Sequence, residues 1–176
     1  MARATAGAGM RVTACDISAE MLRRAADRDP QGAVEWLQLS LNWRALPVEP
    51  ATFDAVVASS VLEYVDHPAS VLGECARVLR PGGIVLCTVP DPTHPVRWLE
   101  RLAGPAARSP LARAAVGRCR PRLDGYFTYL RISRQRHRAA WCAAAAARGG
   151  LLTVRRPAET AARWPLRMFV FQRPMR

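Results

Sequence analysis

The sequence predicts an α/β fold, with a mostly parallel sheet whose last strand is antiparallel. Between residues 10 and 90, short apolar runs that suit strands alternate with patterns of helical spacing, which is typical of strand–helix–strand units. A Pro-Gly-Gly turn at 81–83 separates the last of these helices from the strand that follows. The runs 151–156 and 166–173 have no helix between them, so we expect an antiparallel hairpin at one edge of the sheet.

The first half of the chain contains the clearest elements. Strands are predicted at 11–16, 33–39, 53–60 and 84–90. Ser18 suits the N-cap of the helix that follows it, and a second helix, within 61–83, is expected to stop at the Pro-Gly-Gly turn. The run 53–60 is apolar on both faces, which is typical of a strand buried inside a parallel sheet.

The composition changes after the fourth predicted strand. Residues 91–130 are rich in proline, glycine and arginine, and we interpret them as a lid or insertion over the carboxyl edge of the sheet. Residues 131–176 hold an alanine-rich helix at 133–148 and the two final strands. We therefore interpret residues 1–176 as a single domain, whose core nucleotide-binding half is 10–90.

Positive charge is concentrated in the second half. Arginine provides all 26 basic residues of this 176-residue chain, and the net charge is +12. Residues 91–176 hold 18 arginines and only 4 acids. One interpretation is compositional drift onto solvated faces. The other is contact with an anionic partner, with peripheral contact between the stretch 97–138 and anionic lipid as the hypothesis. Nucleic acid is not expected, because aromatic residues for stacking are few.

The five cysteines do not predict a metal or redox site. None of them forms a C-x-x-C pair, and we expect them to be small buried hydrophobes. No apolar run approaches the roughly 18–20 residues that cross a membrane. The expected location is therefore cytoplasmic.

The segment "VTACDISAEML" carries the first functional signal. It predicts a strand that ends at Asp16 and turns directly into a helix. In nucleotide-binding α/β domains an acid at this point binds the two hydroxyls of a ribose. The alternative is that Asp16 only caps the helix. A nicotinamide-dependent dehydrogenase would use the acid too, but the short-chain type needs a Tyr-x-x-x-Lys pair, and the chain has no lysine.

Together with "FDAVVASSVLEYVDHPASVLGECARVLRPGGIVLCTVP", this segment resembles class I S-adenosylmethionine-dependent methyltransferases. The similarity is greatest to the small-molecule branch that includes ubiquinone and menaquinone biosynthesis enzymes, the methyltransferase type 11-like group. The resemblance covers about residues 10–90. It implies a Rossmann-like methyltransferase sheet, S-adenosylmethionine as cofactor and a small-molecule methyl acceptor.

The resemblance also implies positions for the cofactor. The residues that correspond to the cofactor site are Asp16, Ile17, Met21, Asn42, Trp43, Ser59 and Ser60. Asp16 would hold the ribose hydroxyls, and the Asn42 carbonyl would accept from the adenine amino group where the family usually has an acid. Trp43 would either stack on the adenine or fill the core. Ser59 and Ser60 would approach the methionine end.

The resemblance does not identify a catalytic residue. Tyr64 and His94 are the candidates for a general base near the expected acceptor site. The alternatives are that Tyr64 is a partly buried aromatic beneath the lid and that His94 is an ordinary loop residue. The acceptor and the oligomeric state are not predicted.

The segment "TAGAG" before the first predicted strand contains two glycines. We interpret it as the end of a helix and its turn, so the family's first strand and glycine-rich loop are expected to be missing and the fold to be N-terminally truncated. Methyl transfer by this chain would then be impaired, and binding of S-adenosylhomocysteine would be weak or undetectable. The alternatives are a non-catalytic methyltransferase-like binding or assembly protein, or a gene fragment.

Overall fold

The computed structural model of the chain describes residues 1–111, 114, 128–130, 132–133, 135–155 and 165–175. Within these ranges the chain forms two compact units, Met1–Pro47 and Val48–Arg176. The described strands form two sheets, one of two strands and one of four. A search of the same residues finds no helix with the length and apolarity that a membrane span requires.

The first unit is built around a pair of parallel strands. Its elements are α1 (Ala2–Gly7), β1 (Val12–Asp16), α2 (Ala19–Ala26) and β2 (Val34–Gln38). Strands β1 and β2 pair in register, with Asp16 opposite Gln38 at their carboxyl ends. Both predicted strands are confirmed to within a residue. The segment "TAGAG" is also a helix end and turn as predicted, since α1 ends at Gly7 and Gly9 has a φ of 84°.

Helix α2 begins where its cap predicts. The Ser18 hydroxyl accepts a hydrogen bond from the backbone N–H of Met21 at 3.2 Å, so the predicted N-cap is confirmed. This bond satisfies one of the N–H groups that the first helical turn leaves without a partner. The helix has no fully buried residue. Its position therefore depends on local hydrogen bonds and half-buried contacts more than on a packed core.

The second unit carries a mixed sheet in the order β3-β4-β6-β5. Strands β3 and β4 are parallel, and β6 is antiparallel to both β4 and β5, as the terminal hairpin predicts. The elements, in chain order, are β3 (Phe53–Ser59), α3 (Pro68–Val78), β4 (Leu79–Pro90), α4 (Val96–Arg108), α5 (Ala139–Arg148), β5 (Leu152–Arg155) and β6 (Leu166–Gln172).

The core of this unit lies on one face of the sheet. Alternate residues of β4 and β6 point into it, and the rings of Phe169 and Phe171 stack with their centroids 5.6 Å apart. Helices α3 and α5 also contribute buried residues to this core, including Leu72 and Ala145. Alanines let α5 lie close to α3, and Gly149 sits directly against the backbone of Gly73.

Two predictions, one about the burial of β3 and one about the end of α3, are wrong. The run 53–60 is not buried on both faces, because in β3 Ala58 is fully buried while Val57 is half-exposed. Helix α3 does not extend to the Pro-Gly-Gly turn either, but ends at Val78. The Arg173 guanidinium donates to the carbonyl oxygens of Ala76 and Arg77 at 3.0 and 3.1 Å. These bonds cap the helix C-terminus from a position 96 residues away, which no local signal reveals.

In the region after β4 the difference from expectation lies in the start of the alanine-rich helix. The predicted lid contains α4, a helix of 13 residues, while most of its second half lies outside the described residues. The alanine-rich helix begins at Ala139 instead of 133. Gln135 explains the later start, because its side chain donates to the Val65 carbonyl at 2.7 Å and its backbone N–H to the Glu63 carbonyl at 3.4 Å. The residues before α5 thus bind a neighbouring turn.

The cysteines follow the prediction in part. Cys75, Cys87 and Cys142 are buried, and burial raises the pKa of Cys142 to about 11 and that of Cys87 by more. Cys15 is exposed, so the expectation of burial is wrong there; it occupies the one exposed position of β1. Cys119 lies outside the described residues.

The contact between α3 and α5 yields a paired test of packing. A Cβ at Gly149 would lie 3.1 Å from backbone atoms of Gly73, whereas a Cβ at Gly73 meets nothing within 4 Å. We expect Gly149→Ala to lower the free energy of unfolding by about 1–3 kcal/mol through overpacking. Gly73→Ala should raise it by about 0.5–1 kcal/mol through helix propensity. Urea denaturation measures both, and equal effects of the two changes would contradict this packing.

Candidate functional site

Asp16 closes the carboxyl end of β1. One carboxylate oxygen, Oδ1, accepts the backbone N–H of Ser18 at 2.9 Å, and the Asp16 carbonyl accepts the N–H of Leu39 at 2.9 Å. Among the described residues, none donates a hydrogen bond to Oδ2. The side chain therefore stabilises the turn into α2 and still has an oxygen available for a ligand hydroxyl.

Exposed apolar side chains stand next to this carboxylate in the chain. Ile17 follows it directly, and Met21 lies in the first turn of α2; both are about half-exposed. A carboxylate with neighbouring apolar surface is the combination that nucleoside sites use, since the sugar needs acceptors and the base needs apolar contact.

A cavity of about 390 Å³ opens at the carboxyl end of β2. Its lining residues are Gln38, Leu39, Ser40, Asn42, Trp43, Arg44, Ala45 and Pro47. The backbone N–H of Trp43 donates to the Ser40 carbonyl at 3.2 Å in a tight turn. The Trp43 side chain is half-buried. Because Gln38, at the mouth of this cavity, pairs with Asp16 in the sheet, the cavity and the carboxylate lie at the same edge.

The predicted residues of the second unit lie where β3 ends. The Ser59 hydroxyl is 3.1 Å from the hydroxyl of Thr88 on β4. The Ser60 N–H donates to the Thr88 hydroxyl at 3.0 Å, and Ser60 has a φ of 52°, in the left-handed region that side chains rarely adopt. Such backbone strain is concentrated at functional turns. Thr88 was not predicted, although it is the one polar residue of the apolar run 84–90.

A buried acid follows the same turn and was also missed from the sequence. Glu63 is fully buried, accepts a hydrogen bond from Ser60 and faces the charges of Arg136 and Arg97. Burial raises the pKa of this carboxyl despite those partners. A buried acid beside a strained turn, at the carboxyl end of a strand, is a candidate functional group.

Tyr64 is exposed, with its ring edge-to-face against Tyr129 at a centroid distance of 6.5 Å. Burial of the hydroxyl region and the Glu63 charge raise the pKa of Tyr64. The phenol therefore stays protonated at neutral pH and is better suited to donate a hydrogen bond than to act as a base.

His94 is engaged at the start of α4. Its Nδ1 accepts the backbone N–H of Val96 at 3.2 Å. In the neutral ring the proton then sits on Nε2, which leaves that atom as a donor. This geometry gives His94 a structural partner, and its role as a general base stays a prediction.

A network of buried ions holds α4 on the sheet. Asp91, directly after β4, forms an ion pair with Arg167 of β6 at 3.0 Å. Arg97 pairs with Glu100 and donates to the carbonyl oxygens of Asp91 and Pro165 at 3.2 and 3.0 Å. Buried ions need hydrogen bonds as well as an opposite charge, and Thr93 provides them by donating to Asp91 Oδ1 and accepting from Arg167, while the paired atoms Asp91 Oδ2 and Arg167 Nε have the ionic contact alone. Of the two interpretations of the arginines in the second half, a position on a solvated face is wrong for Arg97 and Arg167, which are buried.

A larger cavity, of about 460 Å³, is lined by Gly73, Ala76, Arg77, Gly149, Gly150, Arg173 and Pro174. Its guanidinium groups already bind carbonyl oxygens and Glu74. We assign it a structural role, because those polar groups are used in closing the C-terminus of α3.

The predicted site residues thus divide between the two units. The first unit holds Asp16, Ile17, Met21, Asn42 and Trp43, and the second holds Ser59, Ser60, Tyr64 and His94. In each unit the predicted cofactor-binding side chains stand at or next to the carboxyl ends of parallel strands, where ligands of open α/β sheets bind.

Each unit thus has a pair of parallel strands with polar side chains at the carboxyl ends, an arrangement typical of nucleotide-binding α/β proteins. Residues 1–87 match the family model described as "Methyltransferase domain". This segment, just under half of the chain, is a methyltransferase domain similar to those of S-adenosylmethionine-dependent enzymes. The recognition made from the motifs is confirmed.

Curated relatives share the matched region. The chain is 40% identical over 115 residues to trans-aconitate 2-methyltransferase of Azoarcus sp. strain BH72, covering 60% of the chain and 44% of that protein. It is 38% identical over 112 residues to demethylmenaquinone methyltransferase of Streptomyces avermitilis, covering 59% and 46%. The chain spans half or less of the length of these relatives.

Solved structures share the fold. A methyltransferase from Methanosarcina mazei has a TM-score of 0.65 at 16% identity, over 100% of this chain and 88% of that one. Magnesium protoporphyrin IX methyltransferase from Synechocystis PCC 6803, whose crystal structure has bound SAH, has a TM-score of 0.65 at 13% identity, over 98% and 68%. At these identities the likeness establishes the fold alone, and the predicted α/β class is confirmed.

The raised pKa of the buried Glu63 can be tested through the pH dependence of stability. Because the pKa of Glu63 is raised in the folded state, folding opposes its ionisation, and the penalty appears as pH rises above the ordinary value of about 4.5. We expect the unfolding free energy of the native chain to fall, relative to that of Glu63→Gln, as pH increases through this window. Urea denaturation across pH 4–8 measures the difference. If the unfolding free energies of the two proteins changed in parallel with pH, the raised pKa of Glu63 would be contradicted.

Proposed function

We propose that the chain takes part in S-adenosylmethionine-dependent methyl transfer to a small-molecule acceptor. One observation carries this proposal: Asp16 ends β1 with a carboxylate oxygen free for a ligand, at the edge where Asn42 and Trp43 line a cavity of about 390 Å³. The cavity falls in the usual size range of small-molecule sites, roughly 300–1,000 Å³.

The residues present fit the nucleoside part of this cofactor. S-adenosylmethionine supplies an activated methyl group on a sulfonium, so the protein mainly binds and aligns. Asp16 would accept from the ribose hydroxyls through the oxygen that Ser18 leaves free. The Asn42 carbonyl would accept from the adenine amino group, and Ile17 with Met21 would supply apolar contact. Trp43, half-buried beside Asn42, would stack on the base.

The second unit would serve the reacting end. Ser59 and Ser60, fixed by Thr88, would lie near the methionine part, and Glu63 with Tyr64 would face the acceptor. Relatives named for trans-aconitate and demethylmenaquinone support a small-molecule acceptor without choosing between a polar acid and a quinone precursor. The excess of arginine in 97–138 supports peripheral contact with anionic lipid as a further part of this proposal.

The second candidate function is that this chain keeps the methyltransferase fold but acts as a non-catalytic binding or assembly protein. The observation that favours it is that β1 and β3 each pair with a single neighbour among the described strands. An open strand edge presents N–H and C=O groups that can pair with a further strand. Cofactor binding separates the two candidates, because only the first requires it.

Calorimetry with S-adenosylhomocysteine tests the first candidate on the chain as it stands. We expect weak, saturable binding that Asp16→Ala reduces about tenfold or more, since hydrogen bonds to a charged group contribute about 1.5–3 kcal/mol each. Glu20→Gln removes an exposed carboxylate of α2 and serves as the matched control, with unchanged affinity expected.

Equal loss of affinity in the Asp16 and Glu20 variants would contradict the ribose assignment and indicate only a charge effect. Complete absence of binding by the native chain would remove the catalytic proposal and favour the second candidate.

A further inference from the structure

Helix α4 has its polarity inverted. Arg97 and Glu100 are 7% and 8% exposed, while Trp98, Leu99 and Leu102 are between 57% and 64% exposed. An ordinary surface helix buries its apolar stripe and turns its charges to water. Here the charges face the protein, and the apolar residues face outward.

The exposed residues form one stripe. Trp98 and Leu102 are four residues apart and Leu99 is three from Leu102, so all three share a helix face. Arg97 and Glu100, also three apart, share the opposite face. Arg101 is exposed beside the stripe, and the one acid of this helix is the buried Glu100. The outward side of α4 therefore combines apolar surface with positive charge.

The buried ion network fixes this orientation. Rolling α4 to bury its apolar stripe would expose the Arg97–Glu100 pair and break the bonds from Arg97 to the carbonyls of Asp91 and Pro165. It would also leave the Tyr129 hydroxyl without the donor that it has at 3.2 Å. The bonds from Arg97 to the Asp91 and Pro165 carbonyls and to the Tyr129 hydroxyl thus hold the apolar stripe toward the outside.

We propose that α4 is a membrane-docking helix, whose Trp98–Leu99–Leu102 face inserts into the interface of a bilayer that contains anionic lipid. The inference rests on the lipid contact included in the proposed function and assigns the surface that makes it. Amphipathic helices with tryptophan and leucine on one side and basic residues beside them bind in this way.

The positive charge of the stretch 97–138 favours an anionic bilayer as the partner of α4. The stretch 97–138 contains eleven arginines and two acids, so an anionic surface attracts it and a second copy of the same basic stretch repels it. Tryptophan is also the side chain that prefers the boundary between headgroups and acyl chains. An apolar face on a protein partner would leave the surrounding charge uncompensated.

Sedimentation with lipid vesicles tests the proposal. The native chain should bind vesicles of phosphatidylcholine with phosphatidylglycerol and bind pure phosphatidylcholine much more weakly. The double variant W98S/L102S should lose about tenfold or more in partition, because each side chain forfeits apolar burial. Raising the salt well above 0.1 M, where the Debye length is about 10 Å, should also weaken binding.

A matched control exists on another surface. Leu152 and Val154 of β5 are 59% and 60% exposed, close to the values in α4. The variant L152S/V154S removes two apolar side chains of similar fractional exposure and should bind vesicles as the native chain does. Equal loss in both double variants, loss in neither, or equal binding to neutral and anionic vesicles would each overturn the proposal.

Fluorescence provides a second readout that keeps the apolar face intact. Vesicles with brominated acyl chains should quench the native protein and quench Trp98→Phe less, since the variant binds but lacks the inserted indole. Unchanged quenching would place another of the five tryptophans in the membrane and overturn the assignment to α4. The vesicle assays contain no cofactor. Their outcome is therefore independent of whether the chain binds S-adenosylhomocysteine.

Discussion

Parallel strand pairing determines where this chain can do chemistry. Strands that run in one direction end at one edge, and the polar residues that follow them are brought together whatever their distance in sequence. In the first unit this places Asp16 opposite Gln38, next to the cavity with Asn42. In the second it places Ser59 opposite Thr88. Loss of either pairing would separate these side chains, so the proposed cofactor and acceptor contacts both depend on it.

The second unit adds a constraint of a different kind, since it buries charge to position a helix. Ion pairs inside a protein cost desolvation and often contribute little net stability, so their presence calls for another explanation. Asp91, Arg97, Glu100 and Arg167 anchor the start of α4 at the carboxyl edge of the sheet. The same contacts turn the apolar face of α4 outward. One network thereby connects the sheet edge where an acceptor would bind to the surface proposed to meet the membrane.

Local patterns predicted local structure well. The strands at β1, β2 and β6 and the Ser18 cap follow from apolar runs and turn residues that act within a few positions. Features set by distant partners were missed: Arg173 closes α3, Gln135 diverts the chain before α5, and burial makes Arg97 structural. Asp16 could be found because an acid at a strand end has a local signature. Thr88 and Glu63 were missed because their interest depends on the three-dimensional structure: Thr88 contacts Ser59 and Ser60 of the neighbouring strand end, and Glu63 is buried.

The central claim is that Asp16 and the cavity beside it bind the nucleoside of the methyl donor. The most direct measurement is a ¹H–¹⁵N NMR titration of the chain with S-adenosylhomocysteine. The account predicts that the largest shifts fall on the amides of Asp16, Ile17, Asn42 and Trp43, with the Trp43 indole N–H among them. Shifts confined to the larger cavity around Gly73 and Gly149, with the amides after β1 and β2 unmoved, would contradict it.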